Sequence, residues 1–249
     1  MIDYNASGAI ARITIHRPEK RNALTAEMIA DLRESLQHAA DDASVRVLLI
    51  RGAGPDFCAG LDLSEVLKSA EKEDEALASA RNLGDLYIAM RRHPKPIVAA
   101  VQGRALGGGA GIATACDLVL AAESAQFGYP EVKLGFIPAI VTTMLRRAVN
   151  ERLAMELALT GEPASATRAH AMGLINRVFP DAGFESAVER YVTALSAHSA
   201  TAMRLSKALL YQTDGMSFEE SIEAGIQANV QARTTEDFKR GVEQFLKKS

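Results

Sequence analysis

This chain has no tryptophan and only two cysteines, Cys58 and Cys116. Two cysteines cannot build the disulfide framework that small secreted domains depend on, so we expect a reducing compartment. No apolar run reaches the roughly 20 residues of a membrane-spanning helix. The N-terminal residues lack a basic segment followed by an apolar one. We therefore expect a cytoplasmic protein without a secretory signal or a membrane partner.

The chain also lacks an excess of either charge and any clustering of histidines. Its 28 Lys and Arg residues and 31 Asp and Glu residues leave a net charge of −3, which argues against nucleic acid as a partner. The five histidines show no metal-ligand spacing. Neither a phosphate-binding G-x-x-x-x-G-K-[ST] loop nor a G-x-G-x-x-G motif is present. These absences predict no metal site and no separate cofactor.

What the chain does contain is an alternation of strand and helix patterns. With 249 residues and 48% hydrophobic residues it is long enough for one large domain or for a domain plus an appendage. The order predicts an α/β core over residues 1–190 and a helical C-terminal region over 191–249. Strands are predicted at 10–16, 45–52, 94–103, 117–123 and 173–180, and the first helix begins after Thr25 as N-cap.

Two buried strands each lead into a glycine turn that opens a helix. The first stretch is "VLLIRGAGPDFCAGLDL" and the second is "PIVAAVQGRALGGGAGIA". The free N–H groups of a helix start, with the helix dipole behind them, stabilise negative charge. If the turns converge, two backbone N–H groups can bind one developing oxyanion. Tight turns that only let helices pack on the sheet are the alternative.

Five segments together resemble the enoyl-CoA hydratase/isomerase (crotonase) superfamily over nearly the whole chain. The resemblance implies a spiral of ββα units with a C-terminal helical trimerisation region, and hence a homotrimer or homohexamer. Phe245 and Lys248, near the end of that region, are implied to reach a neighbouring subunit's ligand. The segments are "RPEKRNAL" (17–24), "DFCAGLDLSE" (56–65), "PKPIVAAVQGRALGGG" (94–109), "ACDLVLAAESAQFGYPEVKLG" (115–135) and "GLINRVFP" (173–180).

The resemblance also implies a site for an acyl-CoA thioester. Leu61 and Gly108 would supply the two N–H donors of an oxyanion hole, and Ala23 and Ala59 would contact the adenine and pantetheine of CoA through their backbone. CoA is then part of the substrate. The implied binding residues are Ala23, Ala59, Gly60, Leu61, Gly107 and Gly108.

The catalytic carboxylates show one departure from the family pattern. Hydratases of this family carry one glutamate in "GGGxE" and another in "FGxPE". Here the second is Glu131, but the first position is Gly111, which we expect to leave open space. The aspartate of the dehalogenase and dienoyl-CoA isomerase branches is replaced by Ala139, which argues against both reactions.

These residues favour three functions, and a thioester hydrolase or decarboxylase that uses the same oxyanion hole also stays open. Similarity to a bacterial subgroup near the methylglutaconyl-CoA hydratases, which has glycine at the position of Gly111, favours water addition with Glu131 as acid and base. A single carboxylate also suits a Δ3,Δ2-enoyl-CoA isomerase in which Glu131 shuttles one proton. The missing first glutamate leaves a non-catalytic acyl-CoA binder as the third reading.

Overall fold

The computed structural model describes residues 1–247, which form an α/β fold with a main sheet of six strands. The main sheet has the order β1-β2-β3-β4-β6-β9, and a second, three-stranded sheet has the order β5-β7-β8. The strands are β1 (Ile2–Ser7), β2 (Ile10–Ile15), β3 (Val47–Gly52), β4 (Ile97–Val101), β5 (Arg104–Leu106), β6 (Leu118–Ala122), β7 (Gln126–Gly128), β8 (Ala164–Ser165) and β9 (Arg177–Phe179).

Helices separate most of the strands and continue alone after β9. They are α1 (Ala26–Asp41), α2 (Leu63–Ser69), α3 (Glu73–Arg92), α4 (Gly108–Ala115), α5 (Thr142–Ala148), α6 (Glu151–Thr160), α7 (Ala166–Ala171), α8 (Phe184–Ser196), α9 (Ala200–Gln212), α10 (Phe218–Arg233) and α11 (Glu236–Leu246). Short 3-10 helices cover Pro18–Lys20 and Pro130–Leu134.

The central strands of the main sheet are buried on both faces, as is usual for parallel strands, and only the β1–β2 pair at the edge is antiparallel. Its central strands are continuous apolar runs, as the sequence predicts for buried parallel strands. One face packs against α1, α3 and α4 in the larger hydrophobic core. The other face packs against Phe184, Val188 and Val192 of α8, which spans the predicted boundary at residue 190.

Helix α1 confirms the helix start that the sequence predicts. The Thr25 hydroxyl accepts a hydrogen bond from the Met28 N–H at 3.2 Å, which satisfies one of the free donors of the first turn. Ile29, Leu32 and Leu36 are buried on the same face. Their spacing of three and four residues places the apolar side of the helix against the sheet.

The second sheet is not among the sequence predictions, and neither is β1. Strands β5 and β7 have three residues each and β8 has two, so they are too short to show a hydrophobic period. They nevertheless matter for the site. Strand β5 pairs in parallel with β7 and also bridges to Cys58, so the two glycine turns and the segment before Glu131 share one layer.

The C-terminal helices are attached to the core by buried polar contacts and leave an apolar stripe exposed. The Lys207 ammonium lies 2.7 Å from the carboxylate of Asp117, which also accepts from the Tyr211 hydroxyl, so Asp117 has a structural role. The exposed apolar residues of α10 recur every four positions: Phe218, Ile222, Ile226 and Val230. Phe245 is exposed on α11, and Lys248 lies outside the described residues. Within residues 1–247, no helix is both long and apolar enough to span a bilayer.

Candidate active site

The Leu61 N–H of the first glycine turn points away from Leu24, the residue with which Leu61 forms an isolated parallel bridge. Leu24 donates its N–H to the Gly60 carbonyl and accepts from the Asp62 N–H, both at 2.8 Å. Leu61 lies between Gly60 and Asp62, the two residues that bond to Leu24. In a parallel bridge the N–H of that middle residue points away from the partner. Within residues 1–247 the Leu61 N–H accordingly donates no hydrogen bond.

The second glycine turn presents the Gly108 N–H. Gly107 has φ of 51° and ψ of −121°, a conformation that favours glycine, and it is the N-cap of α4. Gly108 is the first residue of the helix, where an N–H has no partner inside the helix. No acceptor for it is found elsewhere in the described chain. The turn is held by the Gly107 N–H, which donates to the Gly128 carbonyl at 2.9 Å.

The two turns converge, as the sequence analysis requires for an oxyanion hole. A Cβ built on Gly60 would lie 3.5 Å from the Gly108 nitrogen, and one built on Gly108 would lie 3.7 Å from the Leu61 nitrogen. A Cβ on Gly109 would overlap with the Cys58 carbonyl oxygen and lie 2.7 Å from its Cβ. The distances at Gly60 and Gly108 are ordinary contacts that place the two turns side by side, and only Gly109 excludes a Cβ, so both free N–H groups border the same space.

Glu131 lies beside this pair of donors. Its Oε1 is 3.1 Å from the position that a Cβ on Gly107 would occupy, so the carboxyl group adjoins the turn that carries the Gly108 N–H. The 3-10 helix Pro130–Leu134 places it there, with Pro130 at the first position. None of the salt bridges within residues 1–247 involves Glu131. A carboxyl group free of a cation is available as a base.

Burial raises the pKa of the Glu131 carboxyl above its ordinary value, opposed by a hydrogen bond from its own backbone N–H. Its Oε2 is buried and makes no hydrogen bond of ordinary geometry. The same holds for the hydroxyl of Tyr129, two residues earlier in the chain. Two unpaired buried polar atoms in neighbouring residues are rare in proteins and are typical of sites where a water or ligand binds. Phe136, in contrast, is 55% exposed and does not pack in the core.

The expected open space at Gly111 is absent, and this corrects the sequence-based expectation. A Cβ on Gly111 would overlap with the Tyr87 hydroxyl and lie 2.6 Å from Cγ1 of Val141. Tyr87 comes from α3, is 4% exposed, and donates its hydroxyl to the Gly108 carbonyl at 2.8 Å. Gly111 is therefore glycine because a tyrosine from another helix fills the space beside it.

The residues that fasten the first turn are not among the residues predicted from the sequence. The Arg104 guanidinium forms two hydrogen bonds of 2.7 and 2.8 Å with the Asp56 carboxylate, and this contact lowers the pKa of Asp56. Buried Asn22, at φ of 58°, donates to the carbonyls of Ala53 and Asp56. The side chains of Arg104, Asp56 and Asn22 fix the loop before Leu61. None of them stands out in the sequence, because their contacts join segments far apart in the chain.

The implied CoA contacts lie in adjoining loops. The Ala59 N–H donates to the Arg21 carbonyl at 2.9 Å, which joins the loop of residues 17–24 to the first glycine turn. The Ala23 carbonyl accepts from the Arg17 guanidinium at 3.1 Å, and Arg17 also pairs with Asp62 at 2.7 Å. Asp62 caps α2 by accepting from the Ser64 N–H, so its role is structural.

Comparison with known proteins decides the family. The model of the enoyl-CoA hydratase/isomerase family matches residues 5–249. The chain belongs to this family. Enoyl-CoA hydratase/isomerase family members of similar sequence include a putative enoyl-CoA hydratase of Thermus thermophilus, 38% identical over 97% of this chain and 96% of its own length. The 2,3-dehydroadipyl-CoA hydratase of Escherichia coli is 36% identical over 95% of this chain and 91% of its own length.

Solved structures confirm the crotonase fold. The crystal structure of human enoyl-CoA hydratase domain-containing protein 3 matches 99% of this chain and 97% of its own with a TM-score of 0.95 at 28% identity. An enoyl-CoA hydratase of Mycobacterium smegmatis matches 99% of this chain and 96% of its own, also at 0.95 and 28%. The family assignment therefore covers the whole α/β core and the C-terminal helices.

Proposed function

We propose that this chain is an enoyl-CoA hydratase in which Glu131 is the acid and base and the N–H groups of Leu61 and Gly108 bind the thioester oxygen. The observation that carries the proposal is the position of the Glu131 carboxyl beside two converging turns whose N–H groups are free. Relatives named hydratases support water addition. The acyl-CoA would lie along the backbone of Ala23, Ala59, Gly60 and Gly107.

The reaction follows from this arrangement. The Glu131 carboxylate removes a proton from a water molecule while the oxygen of that water bonds to C3 of the enoyl thioester. The electron pair of the double bond moves toward the thioester, and the resulting enolate oxygen accepts hydrogen bonds from Leu61 and Gly108. The protonated Glu131 then delivers the proton to C2. Fixed donors of this kind contribute roughly 2.7–4 kcal/mol each to transition-state stability in other enzymes.

A second candidate is the Δ3,Δ2-enoyl-CoA isomerase, and the filled space at Gly111 favours it. Tyr87 and Val141 leave no room for a second carboxylate at that position. Isomerisation needs one base, which removes a proton from C2 of a 3-enoyl-CoA and returns it to C4. The two reactions share the enolate and differ in whether water reaches C3.

Assays with crotonyl-CoA, 3-methylglutaconyl-CoA and a 3-enoyl-CoA separate these functions. Turnover of the first or second substrate with Glu131 dependence supports the hydratase. Conversion of the 3-enoyl-CoA alone supports the isomerase. Binding of the thioesters that is indifferent to Glu131→Gln, without any turnover, supports a non-catalytic acyl-CoA binder and refutes both enzymatic proposals.

We also propose that the chain assembles through its C-terminal helices as a trimer or hexamer in the cytoplasm. The apolar stripe Phe218, Ile222, Ile226 and Val230 is exposed along one side of α10 in the single chain. Apolar residues at four-residue spacing on an exposed helix are typical of a surface that another chain covers.

A further inference from the structure

The first turn of α4 needs an external anchor because it consists largely of glycine. Gly107, Gly108, Gly109 and Gly111 have no side chains that could hold the turn, and glycine loses more conformational freedom on ordering than any other residue. An oxyanion donor is effective only when it is fixed before the reaction. The hydrogen bond from the Gly107 N–H to the Gly128 carbonyl holds the turn before the Gly108 N–H, so a second contact must restrict the backbone after it.

Tyr87 contacts this turn at the required place. Its hydroxyl donates to the Gly108 carbonyl at 2.8 Å, while its ring, together with Val141, fills the space beside Gly111. Gly108 thus has its carbonyl held by Tyr87 and its N–H directed into the site. The aromatic ring belongs to the long helix α3, which packs in the main core.

The Tyr87 hydroxyl remains a proton donor throughout the ordinary pH range. Burial raises its pKa well above the usual value, and interactions with Cys58, Tyr129 and Glu131 act in the same direction. The interaction with Glu131 also shows that the phenol lies in the electrostatic neighbourhood of the base. A neutral donor here holds the carbonyl without adding a second negative charge near the enolate.

We propose that Tyr87 is a positioning residue of the oxyanion hole: it fixes the backbone of Gly108 by holding the carbonyl that follows the donor N–H, and it replaces, in space, the carboxylate that position 111 lacks. The inference rests on the proposed enolate chemistry but not on whether water is added. Tyr87 and Gly111 are then a matched pair, since the tyrosine ring can occupy its place only where residue 111 has no side chain.

The variant Tyr87→Phe tests the proposal because it keeps the ring and removes one O–H. The probe is acetoacetyl-CoA, a β-keto thioester whose bound enolate has its own ultraviolet absorbance. Butyryl-CoA, a neutral thioester that forms no stable enolate, reports ground-state binding. Tyr211→Phe is the matched control, since it removes a partly buried tyrosine hydrogen bond to Asp117, a residue outside the two glycine turns and Glu131.

Tyr87→Phe is expected to lower the enolate-to-keto ratio of bound acetoacetyl-CoA by roughly 2- to 13-fold, which corresponds to the loss of about 0.5–1.5 kcal/mol. The affinity of Tyr87→Phe for butyryl-CoA should stay unchanged. For the enoyl-CoA substrate that the wild type turns over, kcat should fall with little change in KM. Tyr211→Phe should lower thermal stability without changing the enolate ratio. An unchanged ratio in Tyr87→Phe, with or without a lower Tm, would overturn the proposal and leave Tyr87 a packing residue.

The two possible failures are distinguishable. If the protein neither hydrates nor isomerises any substrate, and Tyr87→Phe still lowers the enolate ratio of bound acetoacetyl-CoA, the proposed function is wrong and the positioning role stands. If turnover occurs and the enolate ratio ignores Tyr87, the function stands and the positioning role is wrong. If acetoacetyl-CoA binds without any enolate, the oxyanion hole itself is absent and both proposals fail.

Discussion

Adding a single methyl group at Gly111 should reveal how tightly Tyr87 closes this position. In Gly111→Ala the new Cβ would lie 2.6 Å from Cγ1 of Val141 and 2.8 Å from Cζ of Tyr87, besides overlapping with the tyrosine hydroxyl. All three residues are buried, so the clash cannot be relieved into solvent. Overpacking of this kind costs about 1–3 kcal/mol.

Gly84→Ala is the matched control for this substitution. Gly84 also lies inside a helix, α3, but a Cβ built on it meets nothing within 4 Å. Alanine is better than glycine in a helix interior by about 1 kcal/mol, so Gly84→Ala should stabilise the protein. Gly111→Ala should be less stable than this control by about 1–3 kcal/mol, the overpacking term alone.

Thermal unfolding in a Tyr87→Leu background completes the test. Leucine lacks the Cζ and hydroxyl atoms that clash, so Gly111→Ala should cost at least about 1 kcal/mol less there than in the wild type, a coupling expected only for side chains in contact. For a chain of this size 1 kcal/mol shifts Tm by about 2–4 °C. Equal costs of Gly111→Ala in both backgrounds would refute the claim that Tyr87 fills the space.

Three further predictions concern the base, the loop and the assembly. The acid limb of a kcat/KM profile should lie above pH 4.5, because burial raises the pKa of Glu131 and the ionised form is the base; a limb at or below 4.5 would contradict this. Since the raised folded-state pKa makes ionised Glu131 destabilising, Glu131→Gln should raise Tm at pH 7, with the gain vanishing at low pH. Asp56→Asn should lower stability by about 1.5–3 kcal/mol through the loss of hydrogen bonds to Arg104. Because the pKa of Asp56 is lowered in the fold, that deficit should shrink as the pH falls toward its folded-state pKa, and a pH-independent deficit would argue against the ion pair. Ile226→Glu should leave 26.7 kDa single chains in light scattering, whereas an unchanged trimer or hexamer would show that α10 lies outside the interface.

The parts of the site that follow a strand and a turn could be predicted from the sequence. The two glycine turns follow from local sequence patterns, and the family resemblance then implied Leu61, Gly108 and Glu131, because each stands in one of its motifs. The structure accordingly brings the two glycine turns and Glu131 together. The main parallel strands were predictable for the same reason, because each is an apolar run bounded by turn residues.

Tyr87 could not be predicted because its role depends on a tertiary contact. It lies 24 residues before Gly111, in a charged stretch whose apolar positions indicate only that a helix is buried on one side. Gly111 alone therefore suggests empty space, whereas the fold supplies a side chain from another helix. The strands of the small sheet escaped prediction for a related reason, since two or three residues cannot show a period and pairing alone makes them strands.

Exchange of the C2 protons of butyryl-CoA with deuterium oxide tests the central claim most directly. A saturated thioester can be neither hydrated nor isomerised, so exchange reports only proton removal by Glu131 and enolate binding by Leu61 and Gly108. The account predicts exchange by the wild-type protein and a loss of about 10²–10⁴-fold in Glu131→Gln, the usual contribution of a general base, with butyryl-CoA binding retained. Undiminished exchange in Glu131→Gln, or bound butyryl-CoA that does not exchange in the wild type, would contradict it.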